Sequence, residues 1–105
     1  MANSFGKDIL IQAPDPCAAA AFYVEQLGFV VTGEDPQMMS LHGSNINLFI
    51  ECGPALGPVL EVAVGDVDRV RLKLLEAGCE IVKDEPAFPR TYMRDPFGLI
   101  YNLTK

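Results

Sequence analysis

Hydrophobic and polar positions along this chain alternate with two different periods. From Asp8 to Ala13 the sequence DILIQA is extended and apolar. Side chains of a strand point alternately to its two faces, so Ile9 and Ile11 share one face while Asp8, Leu10 and Gln12 share the other. The period then lengthens. Asp15-Pro16 is a helix start, because Asp accepts from free N–H groups and proline is tolerated at the first helical position. An Ala-rich stretch runs on to Phe22, Tyr23 and Leu27, and Gly28 is placed to end the helix. Three strand-like runs follow: Phe29 to Val31, Met38 to Leu41 and Asn45 to Glu51. Turns are expected at Gly33 to Pro36 and at Gly43-Ser44.

The same order returns in the second half. Val59 to Val64 alternates as a strand. Asp66 can cap a helix whose Val67, Val70 and Leu74 lie three and four residues apart on one face, with Gly78 at its end. Cys79 to Val82, Thr91 to Met93 and Leu99 to Leu103 then read as strands, separated by turns at Asp84-Glu85-Pro86 and Asp95 to Gly98. The halves superpose in sequence: Asp15 with Asp66, Gly28 with Gly78, Gly43 with Gly98, and Asn47-Leu48 with Asn102-Leu103. Gly53 to Pro58 reads as the linker. The fold class is therefore α+β, with two βαβββ modules in tandem, 5–53 and 58–105, in a single domain of residues 1–105.

One face of each long strand is uniformly apolar and is expected to pack under the helices: Ile9 and Ile11, Leu48 and Ile50, Val62 and Val64, Tyr101 and Leu103. The opposite face mixes amides and acids with apolar groups such as Leu10, Phe49, Val59 and Ile100. That blend suits a cleft with apolar walls and a few polar groups, around which the sheet would curl.

Composition narrows the classes. Half of the 105 residues are hydrophobic and 21% are charged, as in an ordinary soluble domain. No apolar run is long enough to span a bilayer, and no signal-peptide layout opens the chain, so the expected place is the cytoplasm, with no membrane partner. The net charge of −6, with Lys and Arg scattered, excludes a nucleic-acid footprint. Three cysteines, Cys17, Cys52 and Cys79, without a C-x-x-C, fit neither a disulfide framework nor a zinc knuckle. They are expected reduced and mostly buried.

The ordered set of Pro14-Asp15, Ala21-Phe22-Tyr23-x-x-x-Leu27-Gly28-Phe29, Val64-x-Asp66-Val67-Asp68, Leu75-x-Ala77-Gly78 and Asp95-Pro96-Phe97-Gly98 covers nearly the whole chain. It resembles the vicinal oxygen chelate superfamily of glyoxalase I, the bleomycin resistance proteins and the extradiol dioxygenases. The resemblance implies paired modules around one cleft, often completed across a dimer. It also implies four metal-ligand positions, typically His, Glu, His or Gln, and Glu. Here they hold Asp8, Asn47, Val59 and Asn102. Val59 cannot coordinate, and neutral amide oxygens are poor ligands for zinc, nickel or ferrous iron. The only histidine, His42, falls outside those positions, at the end of the third strand beside a turn, and reads as an ordinary loop-edge residue, with contact to a ligand as the alternative.

The expectation is a small-molecule binding or sequestering protein with no catalytic metal and no cofactor, acting as a homodimer. Asp8, Glu51 and Glu61 would favour a cationic ligand. Gln12, Asn47 and Asn102 would orient polar groups, and Phe49, Tyr92 and the turn residue Phe97 would stack on aromatic ones. Two alternatives stay open. One is a glyoxalase- or dioxygenase-like lyase or isomerase, which without a metal would need Glu61 or Glu51 as its base. The other is a structural or regulatory domain.

Overall fold

A computed structural model describes residues 3–85 and 90–105. The elements run β1 (Ser4–Ala13), α1 (Pro16–Leu27), β2 (Val30–Gly33), β3 (Met38–Gly43), β4 (Ile46–Cys52), β5 (Leu56–Ala63), α2 (Val67–Glu76), β6 (Glu80–Glu85), β7 (Arg90–Arg94) and β8 (Ile100–Thr104). This is an α+β fold of two βαβββ modules in tandem. The chain divides into two compact units, 7–58 and 59–105, with residues 3–6 grouped with the latter.

In module one the strand order is β2-β3-β4-β1, with β1 and β4 parallel and the other neighbours antiparallel. Helix α1 starts where Asp15 accepts from the Ala18 N–H at 3.1 Å. It ends where Gly28 takes the left-handed conformation at φ 78°, open to glycine without a Cβ penalty. Its inner face packs on Met39, Leu41, Leu48 and Ile50, joined by Ile9, Ile11 and Phe29. The Phe29 ring lies against Gly43 so closely that a Cβ there would stand 2.7 Å from its Cε1. Glycine at the end of β3 is what admits the ring.

Module two repeats the arrangement as β5-β8-β7-β6, with β5 and β8 parallel. Asp66 caps α2 through the Arg69 N–H at 3.1 Å. The helix ends at Glu76, and Gly78 follows at φ 102°. Val62, Val64, Cys79, Met93 and Leu103 form its core, with Val67, Val70, Leu74 and Tyr101 against it. The Tyr101 hydroxyl lies 3.5 Å from the Cys79 Sγ. Burial, and then the contact with Cys79, pushes the Tyr101 phenol well above the ordinary tyrosine range.

Several boundaries differ from the sequence reading. Asp84 and Glu85 do not turn. They continue β6 opposite Thr91 and Arg90, and Asp84 is held by Arg71 at 2.8 Å and by the Thr91 hydroxyl at 3.4 Å. Pro86 lies outside the described residues. Leu56 to Pro58, read as linker, belong to β5. Proline is tolerated there because the ladder to β8 starts one residue later, at Val59. Cys17 and Cys52 are exposed and only Cys79 is buried, since the first two lie in the first turn of α1 and at the end of β4. Among the described residues no helix is long and apolar enough to cross a membrane.

Candidate functional site

Each module has a strand face turned away from its helix, and the residues of that face line up in rows across the strands. In module one, β1, β4 and β3 place Asp8, Asn47 and His42 side by side. Asn47 Nδ2 donates to Asp8 Oδ1 at 3.0 Å, and Asn47 Oδ1 lies 2.8 Å from His42 Nδ1. The next row is Leu10, Phe49 and Ser40, and the third is Gln12, Glu51 and Met38. Gln12 Nε2 donates to Glu51 Oε1 at 3.4 Å. Gln12 is buried, while Asp8, Asn47, Phe49 and Glu51 are half-buried and His42 is exposed.

In module two the corresponding face carries Val59, Ile100 and Arg94 in one row, then Glu61, Asn102 and Tyr92 in the next. Asn102 Oδ1 accepts from the Thr91 N–H at 3.1 Å. The β7–β8 ladder ends at the Tyr92–Asn102 pair, so this amide satisfies a backbone donor that the ladder leaves over. Tyr92 is only 1% exposed, with the Arg90 guanidinium 5.7 Å and the Lys83 ammonium 6.0 Å from its ring centre, a cation–π arrangement. Val59 is equally buried. Phe97, at the Asp95–Gly98 turn, is 95% exposed.

The structure thus joins Asp8 to Asn47, and Gln12 to Glu51, by hydrogen bonds, and sets Glu61, Asn102 and Tyr92 in one row. Val59 stands opposite Ile100, not Asn102. Counted back from the helix caps Asp15 and Asp66, Asp8 corresponds to Val59, and their ladder partners Asn47 and Ile100 therefore correspond. Asn102 corresponds to Phe49. The sequence superposition of Asn47 on Asn102 is off by one row, because it was anchored on the turns and not on the strand pairing.

His42 lies near the end of β3, next to the turn, where the sequence places it; what the sequence reading missed is its partner, Asn47. The signal was there: Ser44-Asn45 is a two-residue hairpin loop, and such a loop fixes which residues face each other. Gly43 then opposes Ile46, and His42 opposes Asn47.

As for metals, the four positions hold one carboxylate, one buried valine and two amides, each of whose oxygens is already engaged. Among the described residues no three His, Cys, Asp or Glu side chains gather closely enough to hold a metal ion. A separate open hollow of about 600 Å³ lies on the helix side of module one, floored by Ala20, Val24 and Met39 and rimmed by Glu25, Glu34 and Asp35.

Comparison with known proteins agrees with this architecture. A hypothetical protein from Bacillus halodurans superposes with a TM-score of 0.63 at 17% identity, covering 98% of this chain and 94% of its own. A glyoxalase/bleomycin resistance protein/dioxygenase superfamily member from Vibrio splendidus gives 0.61 at 17% identity, covering 95% and 97%. A variant of homoprotocatechuate 2,3-dioxygenase from B. fuscum gives 0.62 at 25% identity. It covers 95% of this chain, which spans 31% of that one. A search of curated protein sequences finds no match. The family model for a glyoxalase-like domain matches residues 8–104. Nearly the whole chain is included in that match, and the protein belongs to the glyoxalase-like family.

Proposed function

We propose that this protein binds a small cationic or aromatic molecule and does so without a catalytic metal. The donor chemistry at the four positions carries the reading. The Asp8 carboxylate is committed to Asn47, Asn102 accepts from a backbone N–H, and Val59 offers no donor. Such a set is short of the hard or borderline ligands that zinc, nickel or iron require. It does supply oriented polar groups beside an apolar surface, as a small-molecule site needs.

In module one, Asp8 and Glu51 supply negative charge, Gln12 and Asn47 orient polar groups, and half-buried Phe49 is the aromatic contact. In module two, Glu61 and Asn102 form a second polar row of the same kind. Tyr92 contributes there as the packed support of that row, since its own ring is covered. The dioxygenase neighbour is three times the length of this chain, and its reaction is not carried over. A homodimer in a reducing compartment fits exposed Phe22, Leu27 and Val30, which a second copy would cover, and three free cysteines.

Metal analysis of the purified protein and a thermal-shift screen test the reading together. Sub-stoichiometric metal is expected. Stabilisation is expected from organic cations with an apolar body, about 2.7 kcal/mol at a hundredfold excess over Kd. Stoichiometric zinc, nickel or iron would overturn the metal-free assignment. No stabilisation by any cationic or aromatic compound at millimolar concentration would overturn the binding assignment. Sedimentation as a monomer at micromolar concentrations would remove the dimer.

A further inference from the structure

The row Asp8–Asn47–His42 has one self-consistent placement of its protons. An ionised carboxylate only accepts hydrogen bonds, so the group facing Asp8 Oδ1 at 3.0 Å is the amide NH2 of Asn47. Carboxylate chemistry therefore fixes which way the amide points. The other end of the amide is its carbonyl oxygen, which also only accepts, and it lies 2.8 Å from His42 Nδ1. That ring nitrogen must carry the hydrogen. In a neutral imidazole the lone pair is then on Nε2. His42 is exposed, and its Nε2 has no hydrogen-bond partner among the described residues.

We propose that Asp8, acting through Asn47, locks His42 in the Nδ1–H tautomer and turns Nε2 into a hydrogen-bond acceptor for a ligand ammonium group. Free imidazole in water favours the opposite tautomer, so the lock changes what the ring presents. An ammonium is the ligand class that uses the row fully. It donates to the Nε2 lone pair and is attracted by the Asp8 charge, while its apolar body has Phe49 one row away. A neutral alcohol with the same apolar body lacks the attraction to the Asp8 charge, and carboxylates are repelled. Asp8 and Asn47 are positioning residues in this scheme, and His42 makes the contact. The ligand half of the proposal rests on the binding function above; the tautomer half does not.

Nitrogen-15 NMR of the imidazole tests both halves in mildly alkaline buffer, where imidazole is neutral and an alkylammonium is still charged. The wild-type protein should show a protonated-type Nδ1 and an unprotonated-type Nε2. Asn47→Leu should return the ring to the mixture of free imidazole. Asp8→Asn, which keeps the size of the side chain and frees the amide to turn, should do the same, and it serves if Asn47→Leu does not fold. Millimolar hexylammonium should move the Nε2 resonance, with a smaller shift from hexanol and none from hexanoate. A wild-type ring already in the free mixture, or one unchanged in a folded variant, overturns the lock. A locked ring that hexylammonium does not move overturns the ligand class. Finding bound metal would sink the metal-free function and leave the tautomer result standing, so the two failures are distinguishable.

Discussion

Module one and module two share an element order, a capped helix and a buried core, yet their outward strand faces carry opposite chemistry in matching rows. Where module one has Asp8, Asn47 and His42, module two has Val59, Ile100 and Arg94. One row further, module one has Leu10, Phe49 and Ser40 against Glu61, Asn102 and Tyr92. The polar row is displaced by two residues between copies. Charge divides in the same uneven way. Lys7 is the only Lys or Arg from 7 to 58, against Asp8, Asp15, Glu25, Glu34, Asp35 and Glu51, while residues 59–105 hold all the others. Module two pairs much of that charge internally, through Arg71–Asp84, Lys83–Glu85 and Arg94–Glu80. The packing of the helix on the sheet sets the fold in both copies. The opposite face is free to vary, and it has varied.

If the two cores are equivalent, removing their centres should cost the same. Ile50 and Met93 are both fully buried. Ile50→Ala and Met93→Ala are each expected to destabilise by about 2–5 kcal/mol in chemical denaturation. A single shared transition in both variants supports one cooperative unit. Two transitions, with only one displaced in each variant, would show that the modules unfold separately.

Gly43 sharpens a difference. Gly43→Ala puts a methyl group into the Phe29 ring and should cost about 1–3 kcal/mol. Adding Phe29→Leu should recover part of it, because contacting residues are not additive. Full additivity in this double variant would show that the ring is not the obstacle.

The helix caps are the next test. Asp15→Ala and Asp66→Ala each remove one side-chain acceptor and should each cost about 1 kcal/mol by thermal denaturation. Unequal values would mean that Pro16, present only in module one, already carries part of the helix start.

The smallest effect belongs to the ion pairs of module two. Both partners of Arg71–Asp84 are about a third exposed, at 34% and 35%. Asp84→Asn should therefore cost under about 1 kcal/mol, less in high salt. A cost well above that would show that the pair closes β6 onto α2 more firmly than its exposure indicates.

Much of the fold was legible because local and global signals agree. Asp15 and Asp66 mark both helix starts, and alternation of Ile9 with Ile11, or Val62 with Val64, marks the packed faces. Leu56 to Pro58 and Asp84-Glu85 misled for a common reason. Turn-forming residue types express a local preference, and strand pairing overrides it where a neighbouring strand supplies partners. The candidate site was legible as a face but not as rows. Which residues stand beside each other depends on register, and register is set by hairpin length and by the start of each ladder. Asn102 shows the limit. It is on the face where alternation places it, yet its oxygen is spent on the Thr91 backbone, a use that no single strand reveals.

The Ser44-Asn45 turn joins β3 to β4 with two residues, and this makes it a ruler for everything upstream. Inserting one residue between His42 and Gly43 would slide β3 by one step along β4. Every side chain from 38 to 42 would then exchange faces. His42 would move opposite Leu48, under α1 and into the apolar core, the inserted residue would take its place beside Asn47, and Leu41 would turn out beside Phe49. This hairpin should therefore accept length changes only in twos. Insertion scanning of β3 would show that parity directly, as a stability trace that falls at one added residue and partly recovers at two.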